Sequence, residues 1–211
     1  MDKWLVFDMM GVIFKDPDDI SACLIPYLNT LGCSYKRELV EDLYAKLRVG
    51  SITTTEFWRN FQLENRDREY LLSRLRVDHE ALQSAEKYAR TYHFNLGIIS
   101  NDASEWSEIL RSHYGINKLF RNIVISGDVG MRKPNPAIYR EFLKRIPEKN
   151  PYCMYIDDNA AYLQTAKAFG WLTIRFCRDW SYHTEGSYDY SIDKWTDLNP
   201  IIIEAMRKNM F

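Results

Sequence analysis

Apolar and polar positions change their spacing twice along this chain of 211 residues. The chain starts with a short apolar run, residues 4–7, that ends at the carboxylate of Asp8 and is followed by a turn containing Gly11. A short continuous run with these boundaries is typical of a buried parallel strand. Parallel strands end at the edge of the sheet where α/β enzymes carry out their chemistry, so Asp8 is the first candidate catalytic residue.

From about residue 18 to residue 92 the apolar positions recur at helical spacing, with Leu24, Leu28 and Leu31 on one face. Gly32 and Gly50 occur where helices would end, and residues 53–56 have the pattern of a capped helix start. A helical stretch of this length is far longer than a normal connection between a strand and the next element.

We therefore predict two domains. Residues 15–92 form an inserted helical cap domain, and residues 1–14 together with residues 93–211 form the core domain.

Beyond residue 93 strands and helices alternate, which indicates a parallel sheet covered by helices. The predicted fold is α/β: a Rossmann-like parallel-sheet core with helices on both faces, plus the small helical-bundle cap. After residue 178 the chain is rich in Tyr, Ser and Asp and ends in an amphipathic helix over residues 195–207. The predicted strands after the cap are 94–100, 122–126, 152–157 and 171–176, and the predicted helices between them are 103–114, 136–146 and 160–169.

The net charge of −1 gives no basic field for nucleic acid or anionic lipid, so we expect neither as a partner. No apolar run approaches the length of a membrane-spanning helix, and the first strand follows too early for a signal peptide. The four cysteines lack metal-binding or disulfide spacing and are expected to be reduced thiols in a cytoplasmic protein. A monomer and a homodimer are equally compatible with the sequence.

Polar side chains follow several of the predicted strands. Because the carboxyl ends of parallel strands meet at one edge, these side chains should lie together, and such clusters are more often functional than structural. The predicted site gathers three acids, a hydroxyl, an amide and an ammonium: Asp8, Ser100, Asn101, Lys133, Asp157 and Asp158.

These side chains suggest a division of roles. Asp8 can attack an electrophile and form a covalent ester. With Asp157 and Asp158 it supplies the hard oxygen ligands that Mg²⁺ prefers.

The other three candidates suit a phosphate group. Ser100 and Asn101 can hydrogen-bond phosphate oxygens beside a helix N-terminus. Lys133 can act in catalysis and in substrate binding, because its charge would neutralise both the nucleophile and the transferring phosphoryl group.

Four motifs follow one another along the chain: FDMMGV (residues 7–12), IISN (98–101), SGDVGMRKPNP (126–136) and YIDDN (155–159). In order and spacing they resemble those of the haloacid dehalogenase (HAD) superfamily of hydrolases, most of which are Mg²⁺-dependent phosphatases. The helical insertion after the first motif resembles the bundle cap of the subfamily that contains haloacid dehalogenases and small-metabolite phosphatases. The resemblance implies that Asp8 forms an aspartyl-phosphate, and that Asp8, the backbone carbonyl of Met10, Asp157 and Asp158 hold Mg²⁺. The expected substrate is a small phosphorylated metabolite.

The first motif departs from the phosphatase pattern at Met10. Phosphatases of this superfamily have Asp-x-Asp, and the second Asp protonates the leaving group and then activates water. A thioether cannot transfer a proton at neutral pH, although its backbone carbonyl can still bind a metal. The missing proton step is typically worth about 10²–10⁴ in rate.

Three interpretations remain open. The protein is a phosphatase for substrates with good leaving groups, such as acyl phosphates or anhydrides. Alternatively it is a dehalogenase-type hydrolase, whose halide leaves without a proton, although the paired Asp157 and Asp158 argue for phosphoryl chemistry. The third alternative is a catalytically impaired protein that binds a phosphorylated ligand or a protein partner.

Overall fold

The computed structural model describes residues 3–16, 19–147, 149–178 and 185–208. All strands in these ranges pair in parallel within one sheet, in the order β3-β2-β1-β4-β5-β6. The predicted parallel α/β sheet is confirmed, and the short edge strand β6 is an addition to it. The strands are β1 (Lys3–Phe7), β2 (Phe94–Ser100), β3 (Asn122–Ile125), β4 (Tyr152–Asp157), β5 (Leu172–Phe176) and β6 (Tyr190–Ile192).

Eleven α-helices lie within the described residues, and five of them lie between β1 and β2. The first is preceded by a π-helical turn (Asp19–Leu24), and the last by a 3₁₀ turn (Trp195–Asp197). The helices are α1 (Ile25–Thr30), α2 (Arg37–Leu47), α3 (Thr54–Arg59), α4 (Asp67–Arg74), α5 (His79–Tyr92), α6 (Ser104–His113), α7 (Ile116–Leu119), α8 (Ser126–Val129), α9 (Pro136–Lys144), α10 (Ala160–Lys167) and α11 (Leu198–Arg207).

The two faces of the sheet are buried in separate apolar clusters. Along β1, Leu5 and Phe7 join the larger cluster, and Trp4 and Val6 join the smaller one, as the two-residue period of a strand requires. We call the face with the smaller cluster the second face. Helix α9 covers it, and Phe142 packs edge-on against Trp4 there at 5.6 Å between ring centroids. Helices on both faces are therefore confirmed.

The inserted helices continue the larger cluster, which includes Val40, Leu47 and Phe57 as well as residues of the sheet. Helix α3 begins with the expected capping box: Thr53 Oγ1 accepts from the N–H of Glu56, and the Glu56 carboxylate accepts from the N–H of Thr53 at 2.8 Å. The assignment of residues 15–92 to a separate cap domain stays a prediction. The predicted domain ranges include residues 1–2, 17–18, 148, 179–184 and 209–211, which lie outside the described residues.

A buried carboxylate joins the inserted helices to α6. Asp67, only 4% exposed, accepts from the indole N–H of Trp58 and from that of Trp106, each at 2.6 Å. Its second oxygen accepts from the Asn65 side chain at 2.8 Å. Because Trp58 and Asp67 belong to the insertion and Trp106 to α6, one side chain links both parts of the chain.

Within the described ranges, no helix has the length and apolar character that crossing a membrane would require. None of the four cysteines, all of which lie within the described ranges, forms a disulfide bond.

Candidate active site

Lys133 lies at the centre of the site, and its side chain is buried. The Nζ atom donates to Asp8 Oδ1 at 2.9 Å, to Asp157 Oδ2 at 2.7 Å and to the Tyr155 hydroxyl at 2.9 Å. An ammonium has three N–H donors, so these three acceptors use all of them. Burial lowers the pKa of Lys133, but the charges of Asp157 and Asp8 outweigh burial and the net shift is upward. The lysine is therefore a fixed positive charge.

Asp8 follows directly on β1, and its backbone N–H extends the sheet by donating to Ile156 O at 2.9 Å. Its Oδ1 accepts from Met9 N at 2.7 Å as well as from Lys133. Burial raises the pKa of Asp8 to about 7; Lys133 opposes this shift and the charge of Asp157 adds to it. Oδ2 receives no hydrogen bond from the residues that the structure describes.

Asp157 and Asp158, at the end of β4, have different partners. Asp157 Oδ2 faces Lys133, and its Oδ1 accepts from Asn159 N at 2.8 Å. Asp158 is held through its backbone, since its carbonyl accepts from Arg175 Nε at 3.1 Å. Burial raises the pKa of the Asp158 carboxyl well above its ordinary value, and the charges of Asp157 and Asp8 raise it further.

One oxygen each from Asp8, Asp157 and Asp158 lies within 4.8 Å of the others. Two of these carboxylates, Asp8 and Asp157, are buried and Asp158 is half-buried. Carboxylates this close repel one another, and one lysine cannot neutralise them all. A hard divalent cation with oxygen ligands would relieve the repulsion, so the residues present fit Mg²⁺.

The turn after β1 leaves room for this carboxylate cluster. Gly11 has φ +77°, and a β-carbon on it would overlap with Asp158 Oδ2. Only glycine combines this backbone conformation with so close an approach.

Ser100 and Asn101, at the end of β2, are placed differently. Asn101 fixes the loop that carries the lysine: its side chain accepts from Lys133 N at 2.7 Å and donates to Lys133 O at 3.0 Å. The Ser100 hydroxyl is buried and has no hydrogen-bond partner within the described part of the chain. A buried unpaired hydroxyl is uncommon, and a ligand oxygen at the sheet edge would satisfy it.

Met10 occupies the position of the missing second acid. Its side chain is 8% exposed and belongs to the larger apolar cluster. The neighbouring thioether of Met9 receives the Ser107 hydroxyl at 3.7 Å between oxygen and sulfur. Neither methionine supplies a proton donor to the site.

Two site residues escaped the sequence reasoning. Tyr155 looks like an ordinary core residue in an apolar strand, yet its hydroxyl contacts Lys133. Arg178 follows the last motif, and its guanidinium donates to the carbonyls of Gly11 at 3.1 Å and Val12 at 3.0 Å. Arg178 also forms an ion pair with Asp78, so it fixes the turn that carries the first motif.

The inserted helices reach the same edge of the sheet through the turn after α2. The Arg48 carbonyl accepts from the Ser126 hydroxyl at 2.6 Å, and the Arg48 guanidinium lies 4.5 Å from the Tyr44 ring. The Arg48 side chain is half-buried, and its Nε atom is buried without a hydrogen bond to the described residues.

The family model for haloacid dehalogenase-like hydrolases matches residues 3–170. The chain belongs to this family. The match begins at β1 and ends after α10, so it spans all of the strand ends that build the site.

Curated relatives with sequence similarity have different functions. A glyceraldehyde 3-phosphate phosphatase from Methanopyrus kandleri is 28% identical over 122 residues, which cover 54% of this chain and 52% of that protein. The drimenol cyclase drtB from Aspergillus calidoustus is 26% identical over 186 residues, covering 83% of this chain and 34% of that protein. The chain thus matches about half of the first relative's length and about a third of the second's.

Among solved structures, the magnesium-bound HAD-hydrolase YfnB from Bacillus subtilis superposes with a TM-score of 0.69. The alignment covers 95% of this chain and 98% of that one, at 18% sequence identity. At this identity the likeness shows that the fold is shared.

Proposed function

We propose that this protein is a Mg²⁺-dependent phosphatase that acts on a small phosphorylated metabolite through an aspartyl-phosphate on Asp8. The observation that carries the proposal is the buried arrangement of Lys133 between Asp8 and Asp157. In this arrangement Asp8 would be the nucleophile and Lys133 the positive charge that offsets it. Both residues lie at the carboxyl edge of the sheet, within the part of the chain that matches the family. The phosphatase relative from Methanopyrus kandleri supports the substrate class.

Asp8, Asp157, Asp158 and the backbone carbonyl of Met10 would hold the cation. The cation would supply positive charge to the phosphoryl oxygens. The carboxylate cluster supports this assignment, because its mutual repulsion falls when a cation binds.

The reaction has two displacements. A carboxylate oxygen of Asp8 attacks phosphorus, and the bond between phosphorus and the leaving-group oxygen breaks with its electron pair going to that oxygen. Water then attacks the phosphorus of the aspartyl-phosphate, and the bond between phosphorus and the Asp8 oxygen breaks with its electron pair returning to the carboxylate. The two protons of the water leave with the product as dihydrogen phosphate. Lys133 offsets negative charge near Asp8 in both steps, and the Ser100 hydroxyl donates to a phosphoryl oxygen.

Met10 restricts the leaving group. Because no acid replaces the usual Asp at this position, the departing oxygen must leave without a proton. Acyl phosphates and phosphoric anhydrides have leaving groups of low pKa and meet this condition, whereas alkyl phosphates do not. We therefore propose substrates of the first two kinds.

Steady-state hydrolysis of acetyl phosphate and of p-nitrophenyl phosphate tests the proposal, with Mg²⁺ and with EDTA. We expect turnover that requires Mg²⁺, is faster on acetyl phosphate and disappears in Asp8→Asn. Ser104→Ala is the control and should keep activity. It removes the hydrogen bond that the Ser104 hydroxyl, after the second motif, donates to the Asp128 carboxylate at the surface.

Two other outcomes would favour the two remaining interpretations of the sequence. Metal-independent release of halide from a 2-haloacid would indicate a dehalogenase-type hydrolase. Tight binding of phosphate with no turnover of any substrate would indicate a protein that binds a phosphorylated ligand.

A further inference from the structure

Tyr155 belongs to the second face of the sheet. Its ring is fully buried in the smaller apolar cluster, where it packs edge-on against Tyr139 and Trp171, both at 6.0 Å between centroids. These contacts account for an aromatic ring at this position, and a phenylalanine ring would make them equally well. The hydroxyl group needs a separate explanation.

The hydroxyl reaches the end of β4 and makes two hydrogen bonds. It accepts from Lys133 Nζ at 2.9 Å and donates to Asp157 Oδ2 at 2.5 Å. Lys133 Nζ itself lies 2.7 Å from the same carboxylate oxygen. The ammonium, the phenol and the carboxylate therefore form a closed triangle in which each group contacts the other two.

The triangle determines where the ammonium lies. With three acceptors for three N–H groups, Lys133 Nζ has one hydrogen-bonded position, and that position includes Asp8 Oδ1 at 2.9 Å. Without the hydroxyl, one N–H of a fully buried ammonium has no acceptor. The ammonium would then turn toward other oxygens, at the expense of its contact with Asp8.

The triangle also assigns the oxygens of Asp157. Oδ2 receives two donors, and Oδ1 receives Asn159 N. Asp157 is thus directed toward the lysine by three hydrogen bonds, whereas the Asp158 side chain is close to two other carboxylates.

We propose that the Tyr155 hydroxyl is a positioning group of the active site: it holds the Lys133 ammonium on Asp8 and directs Asp157 toward the lysine. The proposal rests on the proposed function for its kinetic consequences. The position of the Lys133 ammonium on Asp8 does not depend on which reaction the site catalyses.

Tyr155→Phe tests the proposal, with Tyr139→Phe as the matched control. Tyr139 is also buried, and its hydroxyl donates to Tyr162 O at 2.8 Å without contact to Lys133 or Asp157. Each variant removes one buried hydroxyl from neighbouring rings. We expect kcat for acetyl phosphate to fall about tenfold or more in Tyr155→Phe, since a hydrogen bond to a charged group is lost.

The Mg²⁺ dissociation constant, measured by titration calorimetry, separates positioning from general damage. We expect it and KM to stay within about threefold of wild type in Tyr155→Phe, because the variant keeps every carboxylate that would hold the cation. Tyr139→Phe should keep kcat within about twofold of wild type. A wild-type kcat in Tyr155→Phe, or equal losses in both variants, would overturn the proposal.

Crystal structures of the two variants distinguish this proposal from the proposed function. We expect the distance between Lys133 Nζ and Asp8 Oδ1 to exceed hydrogen-bonding range in Tyr155→Phe and to stay unchanged in Tyr139→Phe. If the lysine stays on Asp8 in Tyr155→Phe, positioning by Tyr155 is refuted even where phosphatase activity is found. If it moves while wild type hydrolyses no phosphate, only the proposed function is refuted.

Discussion

Gly11 and Asp158 approach each other so closely that a β-carbon on Gly11 would overlap with Asp158 Oδ2. The turn after the first motif and the acidic end of β4 are therefore in direct contact, backbone against carboxylate. The Asp158 carboxylate keeps its place beside Asp8 because the turn carries no side chain there.

Gly11→Ala should consequently weaken Mg²⁺ binding by about tenfold or more, as well as destabilise the fold by about 1–2 kcal/mol through its positive φ. Gly32→Ala is the control, because Gly32 has φ +69° and a β-carbon on it would meet no atom within 4 Å. Urea unfolding and Mg²⁺ titration of both variants check the prediction. Equal Mg²⁺ affinities in the two variants would show that the contact with Asp158 is not needed.

The raised pKa of Asp8 predicts how stability depends on pH in the metal-free protein. With a pKa of about 7, folded Asp8 keeps a proton that the unfolded chain releases near its ordinary pKa of 3.8. The free energy of unfolding should therefore fall as pH rises from about 4 to about 7. Urea unfolding in EDTA measures this slope.

Asp8→Asn should flatten part of that slope, since the titrating group is gone. Asp42→Asn, at an exposed ion pair with Lys46, should keep the wild-type slope. In saturating Mg²⁺ the dependence should weaken or reverse, because the cation binds the ionised carboxylates. A wild-type slope in Asp8→Asn would contradict the assignment.

The Asp67 carboxylate should contribute strongly to stability. Asp67→Ala leaves the indole N–H groups of Trp58 and Trp106 buried without an acceptor, at a cost of about 2–4 kcal/mol. Denaturant unfolding followed by tryptophan fluorescence measures the loss, and Asp42→Ala provides an exposed comparison that should change stability by less than about 0.5 kcal/mol. A similar small loss in Asp67→Ala would rule out this role.

Met10→Asp should restore part of the missing acid–base chemistry. We expect turnover of alkyl phosphates to rise, up to about 10²-fold, while turnover of acetyl phosphate changes little. Met10→Leu keeps an apolar side chain and should raise neither rate. The ratio of the two rates in each variant is the relevant measurement, and an unchanged ratio in Met10→Asp would mean that the leaving group is not limited by this residue.

Ser100→Ala should weaken substrate binding without lowering the free energy of unfolding. Because the Ser100 hydroxyl is buried without a partner among the described residues, its removal should leave the free energy of unfolding unchanged or slightly higher. The KM for a phosphorylated substrate should nevertheless rise severalfold. Ser107→Ala is the comparison, since its buried hydroxyl contacts Met9 and Arg111 and its loss should reduce stability. A clear loss of stability in Ser100→Ala would point to a purely structural hydroxyl.

Much of the fold follows from local sequence patterns, because β1, β2 and β4 are mainly apolar runs with a polar residue at or directly after their ends. The same pattern located Asp8, Ser100 and the paired acids of β4, whose proximity follows from the parallel direction of the strands. Lys133 lies beyond β3 in the third motif. The short strand β6 has no such pattern, since its pairing with β5 depends on the position of the edge in space.

The supporting contacts of the site could not be inferred in this way. Tyr155 acts in the site only because its side chain is long enough to bring the hydroxyl to Lys133. Asp67 has its role because two tryptophans donate to it, one of them distant in the sequence. Sequence reasoning assigns such residues to the apolar core or to a helix start. A hydroxyl two positions before an acidic strand end is a signal that could have identified Tyr155.

The central place of β1 has a consequence for biosynthesis. Lys3 pairs with Phe94 on one side and with Tyr152 on the other, so β1 leaves the ribosome well before either of its neighbours. Until they emerge an apolar edge is exposed, and such long-range pairing is slow and prone to aggregation. The nascent chain should therefore depend on chaperones until β4 has emerged, and fragments that stop before β4 should carry an intact Asp8 yet remain inactive.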